Sequence, residues 1–331
     1  MKTIAFFNNK GGVGKTTLVF HLAWMFSELG LKVVAIDLDP QANLTAACLS
    51  EDQVEDIEEA SSATIFEIVA PLISDGKDIS PNLISISGAF DLLPGDLRLS
   101  TIEDNLSSEW TKCLSDSDLD RQRAFLVTTC LARAVEKSSN MVGADIALID
   151  IGPNLGAINR SALLGADYVV VPVAPDIFSL QGLANVGTGL GQWRKGWKKR
   201  LTDAPSRPGG WPHGAMMPAG YVVSRFSTYA GEKSAHFRRW INRVPYAYHA
   251  NVMAKSSNFP ETVEVDPECL AWLKDYRSLM PMAHEARKPI FLLRPGDGAI
   301  GAHQSAVKSS YSDFRDLALK IAYQAEVEIE E

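Results

Sequence analysis

Residues 10–17 read Lys-Gly-Gly-Val-Gly-Lys-Thr-Thr, a combination suited to holding a chain of phosphates. Phosphate oxygens need several N–H donors at short range, and glycine lets the backbone come close and adopt positive φ. A helix starting directly after such a loop adds its positive end. Lys15 brings a point charge to the β/γ-phosphate position, and the Thr16 hydroxyl can ligate Mg²⁺. Lys10 either projects into solvent or reaches across an interface towards another subunit's phosphates. Cleaving a phosphoanhydride further requires a carboxylate for the metal and a group that orients water. Asp37 and Asp39, in Asp37-Leu38-Asp39-Pro40-Gln41-Ala42-Asn43, are two apart on an extended segment, so their side chains point the same way. Two such carboxylates repel unless a cation or turn donors satisfy them, and an Asp before Pro is equally at home in a turn. A third carboxylate, Asp150, follows the apolar run Ile146–Ile149 and precedes Ile151-Gly152-Pro153.

The elements that must carry these groups are readable from pattern. Thr3–Phe7 is a short β-branched and aromatic run, read as a strand. A helix follows with Leu18, Leu22, Phe26 and Leu29 on one face, and Gly30 is placed as its left-handed cap. Lys32–Ile36 is the next strand and runs into Asp37. Further strands are expected at Ile146–Ile149, Tyr168–Val173 and Gly220–Ser224, with a weaker one at Ile290–Leu293. Helices are expected over Gln122–Glu136 and Asp313–Ala325. Apolar strands alternating with helices predict an α/β fold, doubly wound, with a mostly parallel sheet, helices on both faces and ligands at the carboxyl ends of the strands. One domain is expected over 1–331, with insertions at 51–140 (a hairpin around Leu83–Leu93) and at 193–219, the second read as a long surface loop rich in Trp, Pro and Gly.

The loop resembles the deviant Walker A ATPases of the ParA/MinD superfamily, whose hallmark K-G-G-x-G-K-S/T is matched from Lys10 to Thr16 without a gap. The ordinary P-loop has glycine where this chain has Asn9. The segment from Asp37 to Asn43 is similar to the family's D-x-D-P-Q-x-N box. The resemblance implies a P-loop NTPase fold that binds ATP and Mg²⁺ and hydrolyses ATP. It implies that Lys10, Gly11, Gly12, Val13, Gly14, Lys15, Thr16 and Thr17 bind nucleotide, Lys10 doing so in trans within an ATP-sandwich homodimer. Lys10, Lys15 and Asp39 are the implied catalytic set, Asp39 orienting water; Thr16, Asp37 and Asp150 are the implied metal set. Where the family has D-x-P-P after its second carboxylate strand, this chain has Gly152. The similarity continues through Leu163–Gly187, with A-D-Y-V-V-V-P-V and S-L-Q-G-L. It returns at Glu285-Ala286-Arg287-Lys288-Pro289-Ile290, where the spacer is shorter than usual. The pattern is nearest to ParA/Soj-type partition ATPases without an N-terminal helix-turn-helix, and implies a ParB-like or adaptor activator and a cytoplasmic, nucleoid-associated bacterial protein.

Thirty-two Lys and Arg stand against 40 Asp and Glu, a formal charge of -8. That balance excludes a generally basic nucleic-acid coat, so any DNA contact must come from a local patch. Two patches qualify: Arg194, Lys195, Lys198, Lys199 and Arg200 with Trp193 and Trp197, and Lys233, Arg238, Arg239 and Arg243 with Trp240. Basic residues pair with phosphates and aromatics lie along sugars or bases, which supports non-specific DNA binding; a solvated charged face is the plainer alternative. The four cysteines are scattered with no C-x-x-C pair, which argues against disulfides, zinc ribbons and a bridging iron–sulfur cluster. No membrane span or basic amphipathic tail is apparent. A small-molecule kinase or ligase similar to dethiobiotin synthetase, or a regulatory ATPase that ignores DNA, are the alternative functions.

Overall fold

The computed structural model describes residues 1–60, 63–226 and 240–329. Its strands are β1 (Lys2–Phe6), β2 (Val33–Asp37), β3 (Ile84–Ile86), β4 (Phe90–Leu93), β5 (Ile146–Asp150), β6 (Tyr168–Val173), β7 (Met217–Phe226) and β8 (Cys269–Lys274). They form a sheet in the order β3-β4-β2-β5-β1-β6-β7-β8. Only the β3–β4 pair is antiparallel. The expected doubly wound α/β class is what is found.

The helices are α1 (Lys15–Glu28), α2 (Asn43–Cys48), α3 (Glu51–Ala60), α4 (Ile65–Asp75), α5 (Glu103–Lys112), α6 (Asp118–Thr128), α7 (Cys130–Val142), α8 (Ala157–Leu163), α9 (Ile177–Leu201), α10 (Val244–Ala247), α11 (Leu279–Ala286) and α12 (Ala302–Gln324). Strand alternation sorts them into two layers. Ile4 and Phe6 of β1 pack with α1, α2, α11 and α12, whereas Ala5 and the following Phe7 pack with α4 to α10. The central strands therefore bury both faces, which is why β1, β2 and β5 are nearly continuous apolar runs. Gly30 does sit just beyond α1 with φ 86°.

Several expectations are corrected. The surface loop expected at 193–219 begins instead as the last two turns of α9, because Trp193 and Trp197 lie on the buried face of an unbroken helix. Ile290–Leu292 is a 3-10 turn, not a strand. It is bracketed by Pro289 and Pro295, neither of which can donate to a ladder, and the Ile290 N–H donates to His21 Nε2 at 3.2 Å. The edge strand next to β7 is β8, whose sequence Cys-Leu-Ala-Trp-Leu-Lys drew no strand assignment. The helix expected over Gln122–Glu136 is two helices, α6 and α7, broken at Thr129. The hairpin around Leu83–Leu93 is present as β3–β4, and β4 continues the main sheet by pairing parallel to β2.

One close approach sets how α9 seats. A Cβ on Gly187 would lie 2.1 Å from the carbonyl oxygen of Asn251, in the π-helical turn Tyr248–Val252. Backbone atoms cannot yield as a side chain can. Gly187→Ala should therefore lower the unfolding free energy by about 1–3 kcal/mol through overpacking, despite the ~1 kcal/mol alanine gains in a helix. Gly191→Ala, with open space around its Cβ, should be neutral or slightly stabilising; urea denaturation of the two variants checks the contrast.

Candidate active site

The loop between β1 and α1 opens at the carboxyl edge of the sheet, with β5 and β6 on either side of β1. Gly12 and Gly14 take φ of 73° and 88°, and Gly14 is the left-handed residue that starts α1. A β-carbon there would be strained, so the glycine spacing in the sequence is a conformational requirement. The loop is tied down from three sides. Asn8 donates to the Pro172 carbonyl at 2.6 Å and accepts from the Lys10 N–H; Asn9 donates to the Pro153 carbonyl at 2.7 Å; and Ser224, at the end of β7, donates to the Val13 carbonyl at 2.7 Å. These tethers join the loop to β6, β7 and the segment after β5.

Asp37 and Asp150 end adjacent, paired strands in register, and both are fully buried. Their surroundings differ. Asp37 Oδ2 accepts from the N–H and hydroxyl of Thr45, both at 2.8 Å, and Oδ1 accepts from the Asp39 N–H at 3.3 Å. Neither oxygen of Asp150 has a hydrogen-bond partner at bonding geometry among the described residues. Burial above all drives both carboxyls above their ordinary range, with the charge of Asp39 adding at Asp37 and those of Asp37 and Asp39 adding at Asp150; the nearby Thr16 hydroxyl and Lys15 pull Asp150 only partway back. Lys15 is itself buried, and desolvation lowers its ammonium against the attraction of Asp150 and Asp39.

Asp39 is almost buried and its Oδ1 accepts from the Gln41 N–H at 3.0 Å, a turn-like bond. Gly152 packs against it: a Cβ there would stand 3.3 Å from Asp39 Oδ1. The departure from the family's proline thus leaves Asp39 room. A cavity of about 470 Å³ lies beside these groups, lined by the loop from Gly11 to Thr17, by Asp39, Gln41 and Pro153, and by Phe20, His21, Met280 and His284 from α1 and α11.

His21 is neutral at ordinary pH, since complete burial pushes its pKa down to about 4. With Nε2 accepting from Ile290, Nδ1 donates to the Thr17 carbonyl at 2.8 Å, so the ring couples the phosphate loop's helix to the segment after α11. Sequence reasoning passed over His21, Ser224 and the wall made by α11, although α11 contains the Glu285-Ala286 pair it had singled out. It also missed Glu103 on α5, whose carboxylate accepts from the Ala157 and Ile158 N–H groups and caps α8 just after the Asp150 loop.

The orphaned carboxylate fits a divalent cation. No cluster of three His, Cys, Asp or Glu side chains able to cage a metal occurs among the described residues. Mg²⁺ commonly uses one or two carboxylates plus substrate phosphates rather than a protein cage. Asp150 and the Thr16 hydroxyl suit that mode, with Asp37 behind them, its lone pairs shared with Thr45.

The basic patches fare differently. Lys195, Lys198 and Lys199 are exposed on α9, at spacings that put them on one helical face. Arg200 is corrected: it is buried, its guanidinium 3.8 Å above the Trp110 ring and bonded to the Trp110 carbonyl at 2.7 Å. Trp193 and Trp197 are core residues, unavailable for stacking on bases. Arg238, Arg239 and Lys233 lie outside the described residues. No helix among the described residues is long and apolar enough to cross a membrane.

A protein-family model described as an AAA domain matches residues 1–202. The chain belongs to this family, as a P-loop ATPase-family protein of the ParA/MinD type. Protein IncC of Escherichia coli is 33% identical over 59% of this chain and 47% of its own length. The chromosome-partitioning ATPase Soj of Thermus thermophilus is 29% identical over 61% of this chain and 66% of its own. The match therefore spans less than two thirds of either relative. Among solved structures, protein DIP2308 of Corynebacterium diphtheriae superposes with a TM-score of 0.65 at 24% identity, over 98% of this chain and 99% of that one. A putative plasmid partition protein of Borrelia burgdorferi bound to AMPPNP gives 0.59 at 18% identity, over 96% and 98%. Both likenesses establish a shared fold.

The buried, unpartnered Asp150 has a consequence for stability. Asp150→Asn removes a desolvated charge while keeping the shape, so the ligand-free variant at pH 7.5 should be more stable than the parent by about 0.5–2 kcal/mol, the usual gain on relieving a functional site. Urea denaturation without nucleotide or metal measures it.

Proposed function

We propose that this chain is a Mg-ATP-dependent ATPase of ParA type that acts in DNA partition or cargo positioning. In this reading the ATP state favours a homodimer, loads it on DNA non-specifically, and ends when a ParB-like or adaptor partner stimulates hydrolysis. The cell compartment that goes with it is the bacterial cytoplasm at the nucleoid. The observation that carries the reading is one cavity lined by Lys15, Thr16, Asp39 and the glycine-built donor loop, with the buried carboxylate of Asp150 ending the strand next to β1.

Gly11, Gly12, Val13 and Gly14 present N–H groups to the phosphates, and Thr17 extends that set onto α1. Lys15, whose charge burial leaves under-solvated, gains from a polyanion. Thr16 and Asp150 hold Mg²⁺, with Asp37 behind them; the ion, when bound, neutralises phosphate charge. Asp39 accepts a bond from water and points it at the terminal phosphate. Lys10 contacts nucleotide from the other protomer. Support for the partition role comes from the kinship with Soj and IncC, and for nucleotide from the AMPPNP held by the Borrelia protein. Support for DNA contact comes from the exposed strip Lys195, Lys198 and Lys199.

Asp39→Ala is expected to retain ATP but hydrolyse it about 100-fold more slowly or worse, the usual size of a lost proton-handling group. Phosphate release alongside fluorescent-nucleotide binding checks both halves, and normal turnover would overturn the assignment. DNA affinity should appear with ATP and be weak with ADP or no nucleotide. Replacing Lys195, Lys198 and Lys199 together by alanine should flatten the slope of log K against log salt by about 2–3 for each protomer. An unchanged slope in filter binding at several salt concentrations would remove this strip from the DNA face.

A further inference from the structure

Lys10 does not line the phosphate cavity. Its ammonium is ion-paired with the Asp176 carboxylate on the same chain. The pair is built into its surroundings. Asp176 is the N-cap of α9 and its other oxygen accepts from the Ser179 N–H at 2.9 Å. The Lys10 backbone is held by Asn8, and Asn9 accepts from Asn185 of α9 at 2.9 Å. Gly182 lets α9 come close: a Cβ there would lie 2.6 Å from Asn8 Oδ1. The first turns of α9 and residues 8–10 are thus strapped together, with the lysine turned towards α9.

The pair remains reachable. The Lys10 and Asp176 side chains are 27% and 37% exposed. Two large apolar side chains next to Asp176 in the chain, Ile177 and Phe178 at the start of α9, lie open to solvent. Burial would raise the Asp176 carboxyl, but the bonds to Lys10 and to Ser179 hold it below its ordinary range, so it stands opposite the ammonium as a carboxylate. A part-exposed pair of this kind contributes little and is weak enough for a polyanion to displace.

We propose that Asp176 is a cis counter-ion that parks Lys10 in the free protomer, and that a second copy's bound triphosphate displaces it. Asp176 is then a positioning residue, acting through Lys10 to set the ATP concentration at which two copies associate. The inference rests on the trans role of Lys10 given under Proposed function. One carboxylate is exchanged for a phosphate chain of several charges, and two such exchanges occur per dimer.

Asp176→Asn is the test, because asparagine caps a helix as well as aspartate does and only the charge is lost. The first measurement uses nucleotide-free protein and an N-hydroxysuccinimide acetate probe, with mass spectrometry following acetylation of Lys10. The variant should be acetylated about 2- to 5-fold faster than the parent, the fold-change that matches such a pair. Equal rates would overturn the pairing. The second measurement follows self-association by sedimentation against ATP concentration, with Lys10→Ala as control. The midpoint should fall by roughly 2- to 20-fold in Asp176→Asn, since two pairs are released. Faster acetylation with an unmoved midpoint would overturn the parking role. If ATP drives association of the parent and Lys10→Ala alike, the trans reading of Lys10 fails and the displacement with it, while the acetylation rates still report whether the pair exists.

Discussion

Three aspartates lie at the carboxyl ends of two neighbouring strands with one buried lysine to answer them. Parallel pairing of β2 with β5 puts Asp37 opposite Asp150 at the last rung, and both are taken out of water by the helices on each face of the sheet. Lowering the dielectric around like charges is costly unless a cation or donors intervene. Asp37 is answered by Thr45 and by its own turn; Asp150 has only the nearby Thr16 hydroxyl and the Lys15 charge. Under the proposed function Mg²⁺ answers that group, with Thr16 and Lys15 beside it.

The segment 51–140 is bound into this arrangement. The chain leaving β4 runs close enough for Gly95 to be needed: a Cβ there would stand 2.8 Å from Asp37 Cγ. The Gly95 N–H donates to the Thr45 hydroxyl, which in turn donates to Asp37. A few residues later Glu103 caps α8, the helix after the Asp150 loop. One stretch of chain therefore touches the supports of both carboxylates. The Trp110 ring, on α5 with Glu103, packs against the guanidinium groups of Arg160 of α8 and Arg200 of α9. The α9 helix whose first residue follows Asp176 is thereby in mechanical contact with the helix that follows Asp150.

Much of the site was legible along the chain because its parts are local. A strand, a glycine loop and a helix in succession can only bring Lys15 and Thr16 to a strand's carboxyl end, and positive φ at Gly12 and Gly14 follows from residue type. The apolar runs before Asp37 and Asp150 were read correctly because strands buried on both faces need uninterrupted hydrophobicity. Local reading failed where packing overrode it. The last turns of α9 look like a Trp-rich basic loop, yet the tryptophans have an apolar layer to enter and so the helix continues. Arg200 has the composition of a DNA contact, but the ring of Trp110, far away in sequence, draws it inward. Pro289 and Pro295 turned an apolar run from a strand into a cap for His21.

What the sequence by itself determined is the phosphate loop, its two lysines, the three candidate aspartates and the alternating layers that carry them, since each depends on neighbours within a few residues. Only the tertiary structure decided which aspartate is left unpartnered, that His21, Ser224 and Glu103 brace the site, and that Lys10 faces Asp176. Those outcomes depend on strands and helices brought together from 54 to 269 residues apart, where hydrogen-bond partners and loss of solvent are set by packing and cannot be read from spacing.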